Sequence, residues 1–250
     1  MDVETLGWIL ASGLCTGVGG LFLLLIRRPT GQTLDVLLGF TAGVMLAATA
    51  FSLLVPALER GSVGEVLIGF VLGALTLLAL DRFIPHRHER MAERGTEPAE
   101  VASRRRRATL LLSALTIHNL PEGMAVGLAF AAGGPDLGIP LAIAIGVQNV
   151  PEGFAAAAPL VAAGTSVRVA VVVAALTGAV EPPAALAAYG LSTFADAALV
   201  PGLGFAAGAM LYVIADELIP ESHSGGNERE ATVALLAGFA LMLALDNAFG

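Results

Sequence analysis

Two hexapeptides thirty residues apart, His118-Asn119-Leu120-Pro121-Glu122-Gly123 and Gln148-Asn149-Val150-Pro151-Glu152-Gly153, are nearly the same. Each places an imidazole or amide, a second amide and a carboxylate inside an apolar run. Ionisable groups at bilayer depth cost several kcal/mol, so they face a cavity, a partner or an ion path. On a helix, His118 and Glu122 are one turn apart and share a face, with Asn119 at its edge. Pro121 and Pro151 each remove a backbone donor and kink their helix, which frees a carbonyl that water or an ion could meet. Brought face to face, the two copies offer one imidazole, three amide oxygens and two carboxylates. Imidazole with carboxylate suits Zn²⁺, Fe²⁺ or Mn²⁺, and all-oxygen cages suit Ca²⁺ or Mg²⁺. Two kinked helices whose polar groups simply pair with each other are the plainer alternative.

The elements that must hold these residues are membrane helices. The chain has 250 residues, 56% hydrophobic and 14% charged, with mean hydropathy +0.81. A crossing takes about 20 apolar residues, which leaves no room for a large soluble domain. The expectation is an all-α membrane protein of one transmembrane domain, 1–250, with eight transmembrane helices. They are read at 5–26, 34–58, 63–84, 108–132, 138–162, 167–191, 197–221 and 230–249, with a solvated cytoplasmic loop at 85–107. The layout is 3+2+3: spans one to three and six to eight are candidate inverted repeats around the central, motif-bearing pair. Met1-Asp2-Val3-Glu4 lacks the basic start of a cleavable signal, so the first apolar run is expected to be a retained helix. Twelve of the thirteen arginines fall in segments that are cytoplasmic if both termini lie outside, and only Arg60 falls outside. The positive-inside rule therefore predicts that orientation. The net charge of −8 is no sign of a nucleic-acid surface, since several acids sit in apolar runs. A single cysteine, Cys15, excludes an internal disulfide and a cysteine-rich metal site.

Other polar residues extend the pattern. Glu181 precedes Pro182-Pro183 in span six and reads as a third carboxylate at or bridging the central site. Asp216, Glu217, Glu221 and His223 end span seven, as an exit-side metal site or a solvated terminus. Met45, Ser52 and Glu59 recur every seven residues along span two, as an entrance lane or as packing. His86 and His88 in the long loop could sense metal or simply be solvated. A membrane metalloprotease would need His-Glu-x-x-His, and a di-iron bundle would need Glu-x-x-His pairs. The chain has neither, so no enzyme is expected. A metal-selective channel stays open beside a carrier.

The twin motif, Glu181-Pro182-Pro183-Ala184 and Asp216-Glu217-Leu218-Ile219-Pro220-Glu221 resemble the ZIP (Zrt/Irt-like) divalent-metal transporters over essentially the whole chain. The short loops and Gln148-Asn149 look most like the GufA-type branch. The resemblance implies a primary site of His118, Glu122, Gln148 and Glu152. A second site would add Asn119, Asn149 and Glu181. Asp216 and Glu217 would match exit-side ligands, and Met45, Ser52 and Glu59 the entrance. It also implies uptake of Zn²⁺, with Cd²⁺, Fe²⁺ or Mn²⁺ as further cargoes, toward the cytoplasm. The implied setting is a homodimer among membrane lipids, in a bacterial inner membrane. Spans one, four, five and six would move like an elevator against the other four. No catalytic cofactor is implied. Two positions depart from some members: Asn149 stands where they have Asp, and Asp216 where they have His.

Overall fold

The computed structural model describes residues 1–25, 30–81, 99–191 and 194–249, and is helical throughout, with no strand among them. His86 and His88, and most of the arginine-bearing loop, lie outside the described residues. α1 is Val3–Leu21, extended by a 3₁₀ turn at Phe22–Leu24. α2 is Gly31–Ala47, and it continues through a π-helical stretch, Ala48–Leu54, into α3, Val55–Arg60. α4 is Val63–Asp81, α5 Ala99–Ala162, α6 Val167–Gly178 and α7 Glu181–Gly190. α8, Ala195–Val213, runs through a π-helical stretch, Ile214–Leu218, into α9, Ile219–Ser222; α10 is Glu228–Phe249.

Local chemistry marks several starts. Asp2 accepts from the Thr5 N–H at 2.7 Å, Thr30 from Thr33 and Ser166 from Val169. Ser62 and Glu65 exchange hydrogen bonds as a capping box. Residues 99–107, expected as loop, are instead the first turns of α5. Alanine, glutamate and arginine are strong helix formers, and that preference continues the helix past the apolar boundary.

Seven of the described helices are long and apolar enough to cross a membrane. One of them, Ala108–Ala162, has 55 residues. At 1.5 Å per residue a straight helix of that length would span about 80 Å, far more than a bilayer core of about 30 Å. It does not run straight: Gly134 takes φ +60° and ψ −155°, a conformation open to glycine, and breaks the helix. Beyond it the second leg of α5 (135–162) folds back along the first leg (99–133), which sets His118 opposite Glu152 and Gln148 opposite Glu122.

Glycines decide which helices touch at backbone distance. A Cβ on Gly19 would strike the Val150 carbonyl, and one on Gly153 the Thr16 carbonyl, so α1 lies directly on the second leg of α5. Gly123 and Gly127 bring the first leg onto α7 in the same way. Gly39, Gly43 and Gly238 join α2 to α10, and Gly69, Gly73, Gly204 and Gly208 join α4 to α8. Close approach through small residues is how helices associate in a membrane, where burial of apolar surface gives no net drive.

Candidate metal site

The two legs of α5 and the start of α7 build the site, with Pro121 and Pro151 inside the helical legs. His118, Asn119, Glu122, Gln148, Asn149 and Glu152 are all 0% exposed. His118 Nε2 lies 3.3 Å from Glu152 Oε2 and 3.7 Å from Glu122 Oε1. One ligand atom from each of His118, Glu122 and Glu152 falls within 4.8 Å of the other two. Gln148 closes the fourth side and donates its amide hydrogen to Glu122. The pairing follows from the repeat. Because each leg puts its histidine or glutamine one turn before its glutamate, antiparallel legs set each such residue against the other leg's glutamate.

Nine buried side-chain nitrogen and oxygen atoms in these six residues have no hydrogen-bond partner. Six of them are oxygens: Asn119 Oδ1, Glu122 Oε2, Gln148 Oε1, Asn149 Oδ1 and both of Glu152. Leaving a buried polar atom unpaired costs roughly 1–3 kcal/mol. Unpaired buried oxygens beside one imidazole suit a dication of the zinc type, which accepts nitrogen and oxygen together.

Glu181, at the start of α7, is buried as well. The Asn149 amide donates to both of its carboxylate oxygens, at 2.8 and 2.9 Å, and to the Ser12 carbonyl at 2.9 Å. Thr16 on α1 adds a longer contact to Glu181, at 3.5 Å. Its position comes from a break in the sixth apolar run. Pro182 and Pro183 cannot donate to Gly178 and Ala179, so α6 stops at Gly178 and α7 restarts at Glu181. Ser12 and Thr16, which tie α1 to Asn149 and Glu181, are not singled out by the sequence. Nothing distinguishes them there from ordinary small polar residues in an apolar helix.

The expected entrance residues separate. Ser52 and Glu59 line a cavity of about 280 Å³, whereas Met45 is fully buried and does not. The π-helical stretch Ala48–Leu54, which follows Met45 and contains Ser52, adds residues per turn, so a seven-residue spacing no longer marks one face. The same cavity is lined by Asp136, Arg60 and Asp246, and it reaches down α5 to Val147, beside Gln148. Asp246 accepts a hydrogen bond from Ser52 at 2.6 Å. Asp246 is legible in principle, as an acid near the end of an apolar run; Asp136 follows Gly133-Gly134-Pro135 and reads as an ordinary turn residue.

At the other end, Asp216 is exposed, and Glu217, Glu221 and His223 are half-buried. Both His223 ring nitrogens are hydrogen-bonded, Nδ1 to the Ile219 carbonyl and Nε2 to Thr232. Among the described residues these four do not gather into a three-ligand group; only His118, Glu122 and Glu152 do.

A family model described as ZIP zinc transporter matches residues 85–246. The chain is 45% identical to zinc transporter ZIPB of Bordetella bronchiseptica, covering 94% of this chain and 78% of that protein. It is 41% identical to zinc transporter GufA of Myxococcus xanthus, over 96% of this chain and 97% of that one. It is 31% identical to human zinc transporter ZIP11, over 94% of each.

Proposed function

The chain belongs to the ZIP zinc transporter family, an integral-membrane family of transporters rather than enzymes, and from that premise we propose that it carries Zn²⁺ toward the cytoplasm through the site between the legs of α5. Cd²⁺, Fe²⁺ and Mn²⁺ are further cargoes of the same donor set. The observation that carries the reading is the convergence of His118, Glu122 and Glu152 on one buried point. Gln148, Asn119 and Asn149 supply neutral oxygens around it. Three carboxylates near a dication would bind it too tightly to release, and Asn149 tempers this by holding Glu181 to itself.

The proposed architecture is eight crossings in a 3+2+3 order, counting the two legs of α5 separately, with inverted repeats. Two features support the repeats. Spans two and seven each carry a π-helical stretch that ends two residues before a helical proline, Pro56 and Pro220. The glycine contacts also pair up. α1 on the second leg of α5 corresponds to α7 on the first leg, and α2 on α10 corresponds to α8 on α4.

Those contacts also suggest how an elevator would divide the molecule. Among the described glycines, every backbone-to-backbone approach joins helices within {α1, α5, α6, α7} or within {α2, α3, α4, α8, α9, α10}. Between the groups, α2 and α8 meet α5 through side chains. Groups locked internally and smooth against each other can slide past one another as bodies. The cavity holding Glu59, Asp136 and Asp246 is then the outer mouth, with both termini outside, and Asp216 and Glu217 stand on the release side. A homodimer among lipids of a bacterial inner membrane completes the proposal.

The test is metal entry into proteoliposomes loaded with a chelating dye, comparing Zn²⁺, Cd²⁺, Mn²⁺, Fe²⁺ and Cu²⁺. Saturable Zn²⁺ flux with counter-transport is the expected result. Flux that never saturates would make the protein a channel, and no metal flux at all would end the reading.

A further inference from the structure

Three hydrogen-bonded pairs at the site lie within one group of helices. Asn149 bonds Glu181 and Ser12, and Gln148 bonds Glu122, inside the group that holds α5. Ser52 bonds Asp246, and Asn227 bonds Asp35, inside the other. Thr41 departs from this pattern. It is a fully buried residue of α2, and its hydroxyl lies 3.2 Å from the carbonyl oxygen of Pro151 on α5 and 2.9 Å from that of Leu37 on its own helix.

Pro151 sits between Asn149 and Glu152, and is one residue from Glu152 and two from Asn149. We propose that Thr41 is a positioning residue: its hydroxyl is a catch that holds the Pro151 turn, and with it the site-bearing group, against α2 in the arrangement seen here. The proposal rests on the two-group reading above.

Three observations support a catch rather than a permanent tie. First, the hydroxyl has a second acceptor within its own helix. When α5 slides away, the Thr41 proton keeps the Leu37 carbonyl and is not orphaned, a bond that threonine makes readily inside helices. Second, one shared proton makes a weak link, strong enough to bias an equilibrium and too weak to block it. Third, the catch is one-sided. The counterpart of α2 in the inverted pairing is α8, and the counterpart of Pro151 is Pro121. α8 contains neither serine nor threonine, so it has no short hydroxyl to offer the Pro121 carbonyl. If the two end states of an inverted-repeat carrier interchange the roles of its halves, a bond present in one half only favours one end state. A net hydrogen bond is worth a few-fold to about tenfold in an equilibrium, and the shared proton puts this one at the low end, about two- to fivefold.

The experiment measures the distance between the two groups rather than transport. Cysteines replace Gly64 on α4 and Gly190 on α7 in a Cys15→Ser background. A side chain at Gly190 meets nothing within 4 Å, and one at Gly64 meets only the Ser62 hydroxyl at 3.8 Å. Spin-label distance distributions are recorded for the full chain in lipid, with chelator and with Zn²⁺. The parent is expected to show two populations. Thr41→Val should reduce the one matching this structure about two- to fivefold relative to the other, and Thr41→Ser should restore the parent ratio. If Thr41→Val does not fold, Thr41→Ala removes the same hydroxyl from a smaller side chain. An unchanged ratio in the hydroxyl-free variant, or an equal shift in Thr41→Ser, overturns the catch and leaves the two-group reading standing. A single population in every protein removes both.

Discussion

Asn149→Asp is the substitution that most directly probes how many ions the site holds. In the structure the Asn149 amide nitrogen gives hydrogen bonds to both oxygens of Glu181 and to the Ser12 carbonyl, all within 2.8–2.9 Å. Aspartate is nearly isosteric but has no hydrogen to donate when ionised. The substitution removes an amide–carboxylate interaction worth about 1.5–3 kcal/mol. It also sets two carboxylates with charge centres about 4 Å apart, a repulsion of about 4 kcal/mol at an effective dielectric constant of 20. The sum, about 5.5–7 kcal/mol, is the upper bound with both carboxylates ionised, and proton uptake by one of them lowers it. A second dication between the two carboxylates reverses the sign of that interaction. The expected outcome is therefore conditional on metal. Thermal unfolding of purified Asn149→Asp should begin well below the parent in chelator and recover in Zn²⁺ by much more than the parent does. Calorimetry should find one tight Zn²⁺ in the parent and two in the variant. A variant as stable as the parent in chelator would refute the energetic argument, and two equally tight ions in the parent would refute the claim that Asn149 limits the site.

Glu122→Ala and Glu152→Ala should each abolish Zn²⁺ flux at matched expression while the protein still inserts and melts cooperatively; near-normal uptake by either would remove the central claim. Protons compete with a cation for imidazole and carboxylate donors, so uptake should fall as the pH on the loading side is lowered from neutral into the mildly acidic range; dye-loaded vesicles give the profile directly. Gly153→Ala places a methyl within contact of the Thr16 backbone carbonyl and should destabilise the protein by at least about 1–3 kcal/mol, measured by thermal melts, whereas Gly190→Ala, facing open space, should be neutral.

The residue types of the candidate site are legible in the amino-acid sequence. An acid, an amide and a proline repeated at one spacing in two apolar runs can be read from one chain, because the membrane makes each such residue costly and so informative. Helix content and the long apolar helices follow equally from hydrophobic run lengths, since a bilayer leaves helical segments few alternatives. The antiparallel meeting of His118 with Glu152, and of Gln148 with Glu122, follows from the repeat once the chain turns between them. Tertiary structure decides the rest, through effects that no local pattern encodes. The π-helical stretch Ala48–Leu54 rotates Ser52 and Glu59 out of line with Met45, and inter-residue spacing cannot show a change of helical pitch. Glu181 reads in sequence as one more ligand, and its hydrogen-bond partner Asn149, 32 residues away, is brought to it by packing alone. Thr41 carries no mark in its own helix, because what distinguishes it is a carbonyl 110 residues away, brought within reach by packing alone.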